Sequence, residues 1–361
     1  MAASADRIAP QIASATQDAR LTTIDEHVDP SVWDEYTRAH REGGVYLRAS
    51  WDVVFGTYGL RLTRLAALRE GQMVGALPLV WQKSWLFGRR LVSLPWFDTA
   101  GIVADDDEAR DALLQGALKC AAQLGADVLE LRQPQLVAGW PAPRGDKALF
   151  RLRLEADPAA LWNRIGAKVR NQVRKGEKLG LTVQTGSADL VDEFYAIYSA
   201  NMRDLGSPPH SRRFFEQVVD SFPEEARAHV VRYQGTGVGA ALTLDNGGRL
   251  EVPWASSLRK YNSYCVNHVM YWRLLEQACE RGLEWFHFGR SSLDSGPYRF
   301  KKQWGAEALP LPWHPFQIRG VAQAQRTTHI DESYSLATRV WQRMPVSFCR
   351  LFGPWLIRKL P

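Results

Sequence analysis

The sequence predicts an α/β (α+β) protein made of two related halves, each a mixed twisted sheet flanked by helices. Two recurrences carry this expectation. Glu70-Gly71-Gln72-Met73-Val74-Gly75-Ala76-Leu77 and Gln234-Gly235-Thr236-Gly237-Val238-Gly239-Ala240-Ala241 both read as a strand end, a tight glycine turn and a second strand opening on Val-Gly-Ala. Further along each half, the apolar spacing of residues 113–124 and 272–281 predicts a helix. Each helix stops at a glycine, Gly125 or Gly282, and runs into a strand, Val128-Leu129-Glu130-Leu131 or Trp285-Phe286-His287-Phe288. The Val-Gly-Ala turns lie 164 residues apart and the helix-ending glycines 157. Two features in one order at nearly one offset indicate a duplication.

In order, residues 1–20 read as a flexible N-terminal tail rich in Ala, Ser and Gln. The first half spans 21–155: a helix near 30–42, a strand at 61–68, the hairpin to Val80, a Gly/Pro-rich stretch at 94–101, the repeat helix and strand, and a closing strand at 148–154. The second half spans 156–320. It holds helices at 158–179, 188–205 and 211–221, with Pro208-Pro209 breaking the chain between the last two. Strands at 226–233, 238–244 and 249–255 follow, then the second helix and strand of the repeat. Runs of strands followed by βαβ make a mixed sheet covered by helices. Residues 321–361 read as a helical C-terminal tail.

With 361 residues, 45% hydrophobic and 23% charged, the chain has the composition of a folded two-domain protein and excludes disorder as its main state. The net charge of +6 is concentrated at 168–178, 290–302 and 339–359, clusters suited to a phosphate, an RNA backbone or an acidic lipid. The four cysteines show no C-x-x-C pair and no histidine at zinc spacing, so free thiols and no metal are expected. Residues 1–20 lack the apolar run of a signal peptide, and no stretch approaches the ~20 apolar residues of a span, so a cytoplasmic protein is expected. No phosphate-binding G-x-x-x-x-G-K-[ST] loop, nucleophile elbow or H-E-x-x-H occurs.

Three segments are candidates for chemistry. In the helix carrying Lys168, Arg170 and Arg174, Leu161, Ile165, Val169 and Val173 recur every four residues as a buried stripe, and basic residues fill the rest. That face is either merely solvated or an anion site, since guanidinium forks fit phosphates. The loop after the last repeat strand holds Arg290, Ser291, Asp294, Phe300, Lys301 and Trp304. Polar loops at the carboxyl ends of strands are where α/β sheets bind ligands. Asn267 is placed to cap the second repeat helix. His287 falls in an apolar alternation, which suits a satisfied core histidine as well as a proton acceptor.

These segments resemble the Fem (FemAB) family of aminoacyl transferases and their relatives with GNAT-type acyltransferase domains. The resemblance rests on Lys168-Val169-Arg170-Asn171-Gln172-Val173-Arg174-Lys175, on Glu280-Arg281-Gly282-Leu283-Glu284-Trp285-Phe286-His287-Phe288-Gly289-Arg290, and on Phe300-Lys301-Lys302-Gln303-Trp304-Gly305. It covers about residues 25–320 and implies two tandem GNAT-like domains with the active cleft in the second. In the first half, residues 75–79 and 86–95 resemble the branch associated with exosortase (PEP-CTERM) and exopolysaccharide systems. The resemblance implies transfer of an acyl or aminoacyl group to an amine of an envelope glycan or peptide precursor, which can be lipid-linked. Lys301 would steady the oxyanion, Phe300 and Trp304 would shape the cleft, and Asp294, His287 or a phosphate of the donor would accept the proton. Lys168, Arg170, Arg174, Asn267, Arg290 and Ser291 would bind donor or substrate. The donor would be aminoacyl-tRNA or acyl-CoA, with no tightly bound cofactor. One departure is at 259–264, where acyl-CoA enzymes carry a glycine loop and this chain has Arg-Lys-Tyr-Asn-Ser-Tyr. The alternative is a non-catalytic accessory protein that binds polysaccharide intermediates in the same cleft. The tail at 340–359 mixes bulky apolar residues with Arg and Lys; it either packs on the body or makes a peripheral contact with the inner membrane surface.

Overall fold

The computed structural model describes residues 22–84, 87–143, 147–319 and 337–360. The expected N-terminal tail and the start of the C-terminal tail lie outside the described residues, as does Leu86 of the first-half motif.

The first sheet runs β1 (Thr23–Asp25), β2 (Leu62–Arg69), β3 (Gln72–Ser84), β4 (Gly88–Val92), β6 (Val128–Arg132), β14 (Trp313–Gln317), with β5 (Val103–Ala104) on β3. The second runs β8 (Thr182–Gly186), β9 (Ala226–Tyr233), β10 (Thr236–Asp245), β11 (Arg249–Ser257), β12 (Trp285–Ser292), β7 (Lys147–Arg153), β13 (Glu307–Pro310). The two orders match strand for strand over six positions. In each, antiparallel strands lead to one parallel pair, β4–β6 or β11–β12, and then to one antiparallel neighbour. The parallel pairs need crossovers, supplied by α3 (Asp107–Gln123) and α8 (Val266–Glu280). The fold is thus two mixed sheets flanked by helices, in tandem.

The last position is where the halves exchange strands. β7, which the sequence groups with the first half, pairs with β12 of the second sheet. β14, from the far end of the second half, pairs with β6 of the first. Each sheet is therefore completed by the other half's strand. Strand sequence alone could not show this, since the alternation of apolar residues does not say which sheet a strand joins.

The duplicated glycines have a common role. A Cβ on Gly75 would lie 2.8 Å from Leu113 Cδ1 of α3, and one on Gly239 would fall well inside contact distance of Val266 Cγ1 at the start of α8. Both glycines let the crossover helix sit against its hairpin. Gly125 and Gly282, at φ 67° and 70°, end those helices in the left-handed region that glycine adopts freely. Both neighbours are buried, but the Leu113 methyl is the tip of a longer side chain that can rotate, whereas the Val266 methyl is held one bond from its Cβ. Gly239→Ala is therefore expected to cost about 1–3 kcal/mol and Gly75→Ala clearly less, read as urea midpoints.

On one face of the second sheet lie α4 (Pro158–Arg164), α5 (Ala167–Lys178), α8 and α9 (Gly296–Lys302) around Phe150, Phe286, Phe288 and Trp304. The other face packs on α6 (Val191–Leu205) and α7 (Arg212–Ser221), and its core runs on into the first half. There Trp51 meets Phe222 with ring centres 4.7 Å apart, and Phe97 meets Trp254 at 5.9 Å. Around α2 (Trp51–Gly56) the halves share one core.

Two expected elements differ. The helix over 158–179 is two helices, because Ile165 is extended (ψ 146°) and Gly166 begins the second. Leu161, Ile165, Val169 and Val173 are buried nonetheless. Asn267 does not cap α8. The 3-10 turn at Arg259–Tyr264 runs straight into the helix, Cys265 occupies the cap position at φ 64°, and Asn267 lies inside the first turn. The Cys265 thiol donates to Gln172 Oε1 at 2.8 Å. All four cysteines are free and buried.

Candidate active site between the two halves

A cavity of about 660 Å³ lies between the halves. Tyr46, Thr99, Gly101 and Gln135 line it from the first half, and Arg151, Arg249, Glu251 and His287 from the second sheet. The strands explain which residues reach it. Side chains alternate across a sheet, so Leu149 and Arg151 of β7 face the cavity while Phe150 between them joins the core on the opposite face.

At the cavity wall β11 and β12 pair in parallel only through Arg249–Trp285, Leu250–Phe286 and Glu251–His287. Pro253 follows on β11 and has no N–H to donate to a ladder. On β12 the register with β7 shifts between His287 and Gly289, where Gly289 adopts φ 72°. The two strands therefore separate just beyond the Glu251–His287 pair and open the sheet there.

His287 sits against Glu251, with Nδ1 and Oε1 3.1 Å apart. Glu251 Oε1 also accepts from Asn246 Nδ2 at 3.0 Å, and Asn246 Oδ1 accepts the Val45 amide at 2.7 Å. The carboxylate fixes the ring with its proton on Nδ1 and leaves Nε2 as the basic nitrogen. Burial pushes the Glu251 carboxyl up, but His287, Asn246 and Arg249 together outweigh it and hold the group below its ordinary value. Its ionised form thus stabilises the fold above the ordinary carboxyl range, and this is lost as pH falls through the depressed value. An oriented imidazole backed by a carboxylate in a roomy cleft can take a proton from a substrate. Sequence reading found His287 but missed Glu251 and Asn246, which adjoin it only through strand pairing.

Lys301 approaches from the other face. It is buried on α9, and its Nζ donates to the carbonyls of Gly289 at 2.9 Å and Arg290 at 2.8 Å. The ammonium lies 5.5 Å from the Phe150 ring centre. Burial lowers its pKa to about 8, with Asp98 pulling up and Arg290 pushing down. Asp98, in the 94–101 stretch of the first half, receives the Arg290 amide at 2.9 Å and its guanidinium at 3.0 Å. The same stretch holds Leu94 at φ 54° and Trp96 at φ 75°, a conformation costly for side chains with a Cβ. Trp313 donates to the Asp98 carbonyl at 2.8 Å and is flanked by the guanidiniums of Arg132 (3.9 Å) and Arg290 (4.7 Å).

Beneath this lies a buried network. Glu130 accepts from Arg90 at 2.6 Å and from Arg132 at 3.0 Å, and Arg132 donates to the Phe97 carbonyl at 2.8 Å. Burial lowers the Arg132 pKa to about 10, against the pull of Glu130. Arg132→Met would leave the Phe97 carbonyl without this donor and Glu130 with less counter-charge. A loss of about 3–5 kcal/mol in unfolding free energy is expected in urea.

The other candidates are not gathered at the cavity. Asp294 is exposed in the turn before α9 at φ 56°, where its carbonyl accepts from Arg299 at 2.6 Å. Arg170 donates to the carbonyls of Trp162, Asn163 and Ile165, closing the C-terminal end of α4. Arg174 lies 5.4 Å from the Trp162 ring centre, and Lys168 is exposed. Phe300 and Trp304 pack around His268 on the α8 side. Ser291 is buried, its hydroxyl without a hydrogen-bond partner among the described residues. No helix among the described residues is long and apolar enough to cross a membrane.

Residues 163–302, most of the second half, match the acetyltransferase (GNAT) domain family. No curated protein matches the chain by sequence. The structure superposes on the crystal structure of FemX with a TM-score of 0.65 at 16% identity, covering 82% of this chain and 97% of that one. L-PGS from Bacillus licheniformis gives 0.55 at 14%, covering 88% and 98%. A tandem GNAT protein from the clavulanic acid biosynthesis pathway gives 0.52 at 13%, covering 80% and 94%. At these identities the shared property is the fold. The chain is therefore a tandem GNAT-like fold of the kind seen in FemX, with a match to the GNAT acetyltransferase domain in its second half.

Proposed function

We propose that this chain is an N-acyltransferase that moves an acyl or aminoacyl group onto an amine presented in the cavity between its halves. The observation that carries the reading is the Glu251–His287 pair, set at the cavity wall where β11 and β12 separate. The acceptor amine loses its proton to His287 Nε2 as it attacks the acyl carbonyl. The reacting ester or thioester occupies the opening between the two strands, with His287 on one face and Lys301 on the other. Two of the Lys301 N–H groups are held by the carbonyls of Gly289 and Arg290, and the third is the donor left for the oxyanion. The tetrahedral intermediate then expels the donor's oxygen or sulfur, which takes up the proton.

Resemblance to Fem-like proteins supports an acceptor on a cell-envelope or exopolysaccharide precursor and a cytoplasmic site of action. For the donor, the glycine-free 3-10 turn at Arg259–Tyr264 favours aminoacyl-tRNA over acyl-CoA. The test is titration of purified protein with charged and uncharged tRNA, and separately with acyl-CoAs, each followed by transfer to a panel of amines. Saturable donor binding with transfer abolished in His287→Ala is expected. Binding of glycans with neither donor bound would instead make the chain an accessory protein.

A further inference from the structure

The C-terminal helix α10 (Val346–Ile357) uses only one face to hold the protein. Cys349 and Gly353 are buried against the body, with Gly353 so close that a Cβ there would lie 2.5 Å from Pro209. Arg350 donates to the Ser199 hydroxyl of α6 at 2.8 Å, and Trp341, just upstream, donates to the Ser207 carbonyl at 3.1 Å. Beyond the helix, the Leu360 carbonyl accepts from Trp96 at 2.9 Å and from Gln82 at 3.1 Å. The segment is thus fixed at both ends.

The opposite face is apolar and open. Phe348, Leu351, Phe352 and Trp355 follow one another at helical spacing and are 37%, 71%, 43% and 47% exposed. Phe348 and Phe352 rings touch at 4.4 Å, so they form one surface. Leu205, 60% exposed, lies at the end of α6, the helix on which α10 packs. Residues 337–360 contain five Arg or Lys residues and no Asp or Glu. Arg343 is exposed, and the Lys359 ammonium lies 4.0 Å over the Trp355 ring, its stem along the apolar face.

An apolar stripe with aromatic rings, on a segment whose charged residues are all cations, matches a bilayer surface whose headgroups are anionic: the rings enter the headgroup boundary and Arg343 and Lys359 meet lipid phosphates. A protein partner would require only apolar complementarity and gives no reason for a segment that carries cations and no carboxylate. We propose that this protruding face of α10 docks the enzyme on an anionic membrane, with the helix lying in the plane of the surface. The surface stands independently of the acyltransfer reading.

The experiment is flotation of the full chain with vesicles of phosphatidylglycerol and phosphatidylcholine, and with phosphatidylcholine alone, at low and high salt. Binding to the anionic vesicles, weakened by salt, is expected. Leu351→Glu with Phe352→Glu is expected to weaken it at least about tenfold, and Arg343→Glu with Lys359→Glu by about fivefold or more per charge. All four positions leave the docked face intact, and an unchanged melting temperature verifies the fold. Absence of binding to anionic vesicles would overturn the proposal. So would salt-independent binding to both vesicle types, or the Leu351/Phe352 variant floating like wild type. A self-associated species in sedimentation that this variant dissolves would assign the face to a second copy instead. None of these outcomes touches donor binding or His287, so failure here leaves the acyltransfer reading standing.

Discussion

Replacing His287 by alanine is expected to lower turnover by about 10²–10⁴-fold, with donor binding nearly unchanged. On the proposed reading, loss of the imidazole removes the proton acceptor, while the donor is held by other groups. A single-turnover transfer assay reads the chemical step directly. Added imidazole should restore part of the rate, because the cavity of about 660 Å³ admits a molecule that size. Glu251→Gln should give a smaller loss, since an amide still occupies the site between His287 and Asn246 but no longer dictates which ring nitrogen carries the proton. Full activity in His287→Ala would remove the pair from the mechanism and favour an accessory role.

The second large effect concerns Lys301. Lys301→Ala is expected to cost about 10²–10³-fold in turnover, the effect of removing the oxyanion donor proposed above. Burial sets the pKa at about 8, so the charged form is lost as pH rises through that value, and the rate should fall there. Stability should move the other way. Between about 8 and the ordinary lysine value of 10.5, the unfolded chain holds a proton that the folded chain has released. Unfolding free energy therefore rises with pH across that window, by about 3 kcal/mol in all. In Lys301→Met both the alkaline fall in rate and the rise in stability should disappear. A rate that stays flat through pH 8 in the wild type would mean the charge on Lys301 is not used.

The resemblance and the repeat pointed to the second half and to Lys301's loop, but they grouped residues by nearness in sequence. Arg290 and Lys301 do meet, at the β12 bulge. Asp294, only four residues from Arg290, turns away into an exposed loop. Arg170 belonged to a basic helix on paper, yet its guanidinium serves the carbonyls left open where α4 stops at Ile165. The break that creates those carbonyls is invisible to helical periodicity, because all four stripe residues are buried on either side of it.

By itself the sequence determined the two-fold repeat and the class and approximate limits of the repeat's elements, while α2, β8, α9, β13 and β14 carried no readable signal and α4 and α5 read as one helix. The repeat's elements depend on local rules: a glycine at positive φ ends α3 and α8, the apolar period separates helix from strand, and a missing side chain at Gly75 and Gly239 admits the crossover helix. Only the tertiary structure decided the exchange of β7 and β14, the Asp98–Arg290 bond across 192 residues, and the meeting of His287 with Glu251. Strand neighbours are chosen by the packing of whole layers, and a carboxylate far along the chain carries no local mark of the histidine it will face. The site lies where two strands part and two halves join, a place that exists only once both sheets have formed.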